Sequence, residues 1–72
     1  MLKAEQSDPD TFLISRDGST IAGSIVRVGE QWRVEILWSG PGGDITFQDA
    51  SLPRVLAFVG GVSAMMDRLV AR

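Results

Sequence analysis

Residues 20–38 read TIAGSIVRVGEQWRVEILW, and this stretch decides the fold. Trp32, Val34, Ile36 and Trp38 alternate with Arg33, Glu35 and Leu37, the period-two pattern of a strand with one buried face. Gly29-Glu30 divides the stretch into two runs, 20–28 and 31–38, because Gly tolerates the positive φ of a two-residue hairpin turn. Such a turn sets Val28 opposite Gln31, Arg27 opposite Trp32, Ile25 opposite Val34, Gly23 opposite Ile36 and Ile21 opposite Trp38. Residues directly opposite share a face. Ile21, Gly23 and Ile25 therefore join the Trp/Val/Ile face, while Ala22, Ser24 and Val26 turn to the other side.

The neighbouring runs extend this pattern. Towards the N-terminus, TFLISR (11–16) ends at Asp17-Gly18, a second two-residue turn. With that turn Ile14 meets Ile21 and Phe12 meets Gly23, so the large apolar residues of all three strands fall on one side. A slip of one residue in either hairpin would break the agreement. Gly23 then lies between Phe12 and Ile36, where a missing side chain admits a ring or a helix. Towards the C-terminus, SGPGGD (39–44) reads as a loop and residues 45–48 as a fourth strand, with Trp38 facing Ile45 and Ile36 facing Phe47.

A helix over residues 51–71 closes the chain. Ser51 is its N-cap, and Pro53 fits the first turn, where its missing N–H is not needed. Asp49 is placed either to cap locally or to bond the strand-to-helix turn. Leu52, Val55, Leu56, Val59, Val62, Met66, Leu69 and Val70 form a wide apolar stripe, with Phe58 and Met65 at its margin. Gly60-Gly61 either lies within one continuous helix or splits it. The first ten residues, MLKAEQSDPD, read as a disordered acidic tail. The expectation is an α+β fold: a single ββββα domain over 11–72, in which a four-stranded antiparallel meander (11–16, 20–28, 31–38, 45–48) packs on one C-terminal helix.

Composition bounds the function. Hydrophobic residues make up 44% of the 72 and charged residues 22%, ordinary values for one globular domain near the lower size limit. There is no Cys and no His, which removes thiolate chemistry, disulfides, and the commonest general base and metal ligand. No serine has a His to activate it, and Lys3 is the single Lys. Asp44, Asp49 and Asp67 show no catalytic spacing. The Gly-rich 39–44 stretch lacks the Lys and following helix of a phosphate-binding loop. The chain is therefore expected to be non-enzymatic, with no cofactor and no metal. No run approaches the ~20 apolar residues of a membrane span, and the first ten residues do not read as a signal peptide; the expected location is the cytoplasm. The net charge of −2 arises in the first ten residues, and from Thr11 onward six Arg balance six acids. A neutral body does not draw phosphate backbones from a distance.

Two surfaces read as contact surfaces. The outer sheet face is more apolar than a solvated antiparallel face usually is, with Leu13, Ala22, Val26 and Leu37 close together. The back of the helix carries Ala57, Gly60, Gly61, Ala64, Arg68 and Ala71, and the pairs Ala57/Gly61 and Gly60/Ala64 are small residues one turn apart that allow close approach. These residues point to a non-catalytic interaction module that forms a homodimer or joins a larger protein assembly. The order of elements over residues 11–71 resembles, in topology, the transcriptional-coactivator class that binds single-stranded DNA as a dimer. That resemblance implies the alternative, a single-stranded nucleic-acid-binding module, for which Arg16, Arg27, Trp32 and Arg33 would supply the contacts. The chain lacks the Lys-rich strands of that class.

Overall fold

The computed structural model of the chain describes residues 1–38 and 42–70. The elements are β1 (Leu2–Asp8), β2 (Thr11–Arg16), β3 (Thr20–Val28), β4 (Gln31–Ile36), β5 (Ile45–Asp49) and α1 (Leu52–Val70). The strands form one antiparallel sheet in the order β1-β2-β3-β4-β5. The expected α+β architecture is present, with five strands rather than four. The added strand is β1, and it corrects the reading of residues 1–10 as a disordered tail. Leu2 and Ala4 alternate with Lys3 and Glu5, so β1 turns one short apolar face inward. Leu2 is buried against the helix, and its N–H donates to Ser63 Oγ at 2.9 Å.

The β3–β4 hairpin has the expected pairing from Val28–Gln31 through Gly23–Ile36. Of the two turn residues, Gly29 has positive φ (64°) and Glu30 does not, as a type II′ turn requires. Strand β4 ends at Ile36, so Ile21 and Trp38 do not pair, although Leu37 N–H still donates to the Ala22 carbonyl at 2.7 Å.

The β2–β3 pairing departs from expectation in an instructive way. Asp17 (φ 55°) and Gly18 (φ 78°) make the turn, but Ser19 is an extra residue before pairing resumes at Arg16–Thr20. A second extra residue follows, a bulge at Ala22 between the Ser15–Ile21 and Ile14–Gly23 pairs. Two single-residue shifts sum to two, so the faces agree again from Ile14 onward. Ile14 lies beside Gly23, and Phe12 beside Ile25 rather than Gly23. Between the shifts the alternation reverses: Ala22 is 4% exposed and belongs to the core, while Ile21 stands out of it. The β4–β5 pairing is likewise displaced by two, with Ile36 opposite Ile45 and Val34 opposite Phe47. Faces are again unchanged. Of the loop expected at 39–44, residues 39–41 lie outside the described part, as does the last helical position expected, 71.

Ser51 caps α1 as expected. Its Oγ accepts the Arg54 N–H at 3.4 Å and its carbonyl accepts the Val55 N–H at 3.1 Å. Asp49 Oδ1 holds the turn by accepting the Ser51 N–H at 2.8 Å. The helix runs unbroken through Gly60-Gly61. Its buried stripe is narrower than expected: Val55, Val59, Val62 and Met66 are buried, and Leu56 and Leu69 are exposed; the side chain of Val70 lies outside the described part. The stripe covers Ile14, Ile25, Val34 and Ile36, none of which retains any exposed surface. Phe47 stacks on Phe58 with ring centroids 4.5 Å apart, tying β5 to the helix.

A Cβ added at Gly23 would overlap the Glu35 carbonyl oxygen and come within 3.0 Å of Ile36 Cα, so β3 meets the β4 backbone there with no room for a side chain. A Cβ at Gly60 or Gly61 would meet nothing within 4 Å. The glycines therefore separate under substitution. Gly23→Ala is expected to cost about 2 kcal/mol through overpacking. Gly60→Ala is expected to add roughly 0.8 kcal/mol through helix propensity. Urea denaturation midpoints measured on both variants check the opposite signs.

Candidate interaction surface

The side of the sheet away from α1 is built from rows that cross the strands. One row runs Glu5, Leu13, Ser24, Glu35, Thr46, and the next Thr11, Val26, Arg33, Gln48. Leu13, Ile21 and Leu37 surround a shallow depression floored by Gly23, Ser24 and Glu35. Leu13, Ile21, Val26, Val28 and Leu37 are between 40% and 55% exposed, which is high for large apolar residues grouped on one sheet face. Polar residues frame the group. Gln48 Nε2 donates to Gln31 Oε1 at 2.6 Å across β4 and β5, and Arg33 and Glu35 are exposed along β4.

Of the expected interface residues, the structure brings Leu13, Val26 and Leu37 onto this face. It removes Ala22, which the bulge seats in the core, and puts Ile21 in its place. The signal for Ile21 was Ser19, a residue after the Asp-Gly turn that can stay out of the ladder.

Ala57, Gly60, Gly61, Ala64 and Arg68 are exposed on the back of α1, as expected. They form a separate surface from the outer sheet face, because α1 covers the opposite side of the sheet.

Arg16, Arg27, Trp32 and Arg33 do not converge. Arg27 and Trp32 pair near the β3–β4 turn, with the Arg27 guanidinium carbon 5.9 Å from the ring centroid of half-buried Trp32. Phe12 meets the same ring edge-on at 5.9 Å, and Arg27 Nε also donates to the Gly29 carbonyl. Trp32 is thus engaged by its own chain. Arg33 lies on the outer face, and Arg16 at the far end of β2 beside the Asp17-Gly18 turn.

A pocket of about 200 Å³ opens at that far end, between Trp38, Met66 and Leu69 on its apolar side and Arg16, Asp17 and Asp67 on its polar side. The Met1 amino group lies 3.5 Å from Asp17 and 3.4 Å from Asp67, in pairs open enough to solvent that screening weakens them. Among the described residues no cluster of acids is arranged to hold a metal ion, and no helix is long and apolar enough to cross a membrane.

The outer-face residues are not part of the folding core, which separates them from the inner face in stability measurements. Leu13→Ser and Leu37→Ser are each expected to change unfolding free energy by no more than about 0.5 kcal/mol. Ile25→Ala on the covered face is expected to cost roughly 2–5 kcal/mol. Chemical denaturation of the three variants checks this division.

The topological resemblance to the single-stranded-DNA-binding coactivators ends at the element count, since β1 makes the sheet five-stranded. Compared with protein-family models, with curated proteins and with solved structures, the chain matches none.

Proposed function

We propose that this chain is a non-catalytic interaction module that self-associates or enters a larger protein assembly through its outer sheet face. One observation carries the reading: Leu13, Ile21, Val26 and Leu37 lie exposed together on a face that none of the described residues covers, while α1 packs on the other face. Covering that face removes apolar surface from water at roughly 25 cal/mol per Å², without disturbing any internal contact. The mixed charges of Arg33 and Glu35 beside the patch give it orientation rather than a long-range field. The helix back contributes less to this reading, because Ala57, Gly60, Gly61 and Ala64 offer little apolar area.

The nucleic-acid reading draws on Arg27 and Trp32 alone, since Arg16 and Arg33 lie elsewhere. Titrating a labelled single-stranded oligonucleotide at low salt separates the two readings. No saturable binding is expected; saturation that weakens as salt rises would put the nucleic-acid reading first.

The outer face is tested by Leu13→Asp combined with Leu37→Asp. Sedimentation equilibrium is expected to show that the wild type self-associates and that the double variant loses an association step, with an unchanged far-ultraviolet circular dichroism spectrum. A double variant that associates like the wild type would remove the outer face as the contact surface.

A further inference from the structure

We propose that the free edge of β1 is a second, independent contact, which pairs antiparallel with β1 of another copy about a twofold axis at Ala4. The surface is distinct from the outer face, and the two can fail separately.

Strand β1 is an edge of the sheet, with β2 on one side and, among the described residues, no strand on the other. Successive residues of a strand turn their backbone groups to alternate sides. The Met1 carbonyl accepts the Asp17 N–H at 3.1 Å, so Met1, Lys3 and Glu5 bond towards β2, and Leu2, Ala4 and Gln6 turn outward. The window is bounded at both ends. Ser63 Oγ already takes the Leu2 N–H, and beyond Gln6 the ladder shifts register before Pro9. Between these limits the Leu2 carbonyl, both backbone groups of Ala4 and those of Gln6 face away from the sheet. An edge left in this state is a template for another strand.

Charge selects the occupant and the register. Lys3 and Glu5 flank Ala4 on one face, both well exposed, with Nζ and Oε1 3.6 Å apart. A twofold axis at Ala4 sets Lys3 of each copy opposite Glu5 of the other. It joins Ala4 N–H to the Ala4 carbonyl in both directions, while Leu2, whose outward N–H Ser63 already takes, stays outside the ladder. Sliding one copy by two residues sets Lys3 against Lys3, or Glu5 against Glu5, across the pair. Sliding by one residue sets an inner face against an outer one. A second copy of this chain is therefore complementary to the edge in one register, and a closed, isologous pair results.

Sedimentation equilibrium in a Val26→Asp/Leu37→Asp background isolates this contact, because neither position lies opposite Lys3 or Glu5. A dimer is expected in that background, and adding Ala4→Pro is expected to weaken it at least about tenfold. Pro is tolerated where the N–H of an edge strand faces outward, so the monomer should keep its circular dichroism. Lys3→Glu and Glu5→Lys should each weaken the dimer about tenfold, and the two together should restore it, since the exchange keeps opposite charges facing. The charge series decides the matter if Ala4→Pro perturbs the fold. A monomer in the starting background, or a charge-exchanged pair no better than its single variants, would overturn the proposal.

Discussion

The structure depends on the close approach of β3 to β4 at Gly23. No Cβ fits there, because it would run into the Glu35 carbonyl. Gly23 sits in the middle of a row that crosses the whole sheet, from Ala4 through Ile14, Gly23 and Ile36 to Ile45. The isoleucines beside it are fully buried, and so are Ile25 and Val34 in the next row. Helix α1 lies over these rows with Val55, Val59, Val62 and Met66 at intervals that keep one side of the helix on the sheet.

The bulge next to Gly23 links the core to the exposed surface. A sheet residue and its successor ordinarily point to opposite faces. The extra residue at Ala22 suspends that rule for one step, so a small side chain enters the core and a large one, Ile21, leaves it. The exposed Ile21 completes the depression it shares with Leu13 and Leu37. Core packing and surface patch therefore come from one local irregularity. Bulges commonly re-aim side chains in this way, and here the re-aimed residue is apolar and solvent-exposed.

The sequence pattern discloses which face a residue occupies more readily than which residue lies opposite it. Alternation has period two, so a displacement by two leaves every burial expectation intact. That is why Phe47 and Ile45 fall on the inner face although their partners in β4 differ from the expected ones. Where one hairpin has a tight turn and no bulge, at Gly29-Glu30, partners and faces both follow from the sequence. Strand β1 was illegible for a different reason. Only Leu2 and Ala4 mark its inner side, too few to stand out among polar residues, and its order comes from pairing with β2 and from Ser63, a residue on the distant helix. Helical spacing alone does not say how broad a sheet lies beneath, and Leu56 and Leu69 extend past the covered width.

An open sheet under one helix leaves one face and two edges to be accounted for, and the three are not equivalent. The Val28–Gln31 pair closes the β3–β4 hairpin, so Trp32, Val34 and Ile36 bond towards β5, and their partners Asp49, Phe47 and Ile45 bond back. Only Thr46 and Gln48 then face outward from β5, an edge too short to hold a strand firmly and without opposite charges to set a register. The β1 edge has both. The outer face differs again, since apolar contact is non-directional and accepts any surface of suitable shape, whereas an edge fixes the direction of an added strand and its flanking charges favour one register. An assembly built on the face alone would be adhesive without a fixed geometry. One built on the edge alone would have a fixed geometry from few bonds. In the proposed assembly, burial would supply the strength and the β1 ladder the direction, and the two surfaces adjoin through Glu5 beside Leu13, so that one partner arrangement would constrain the other.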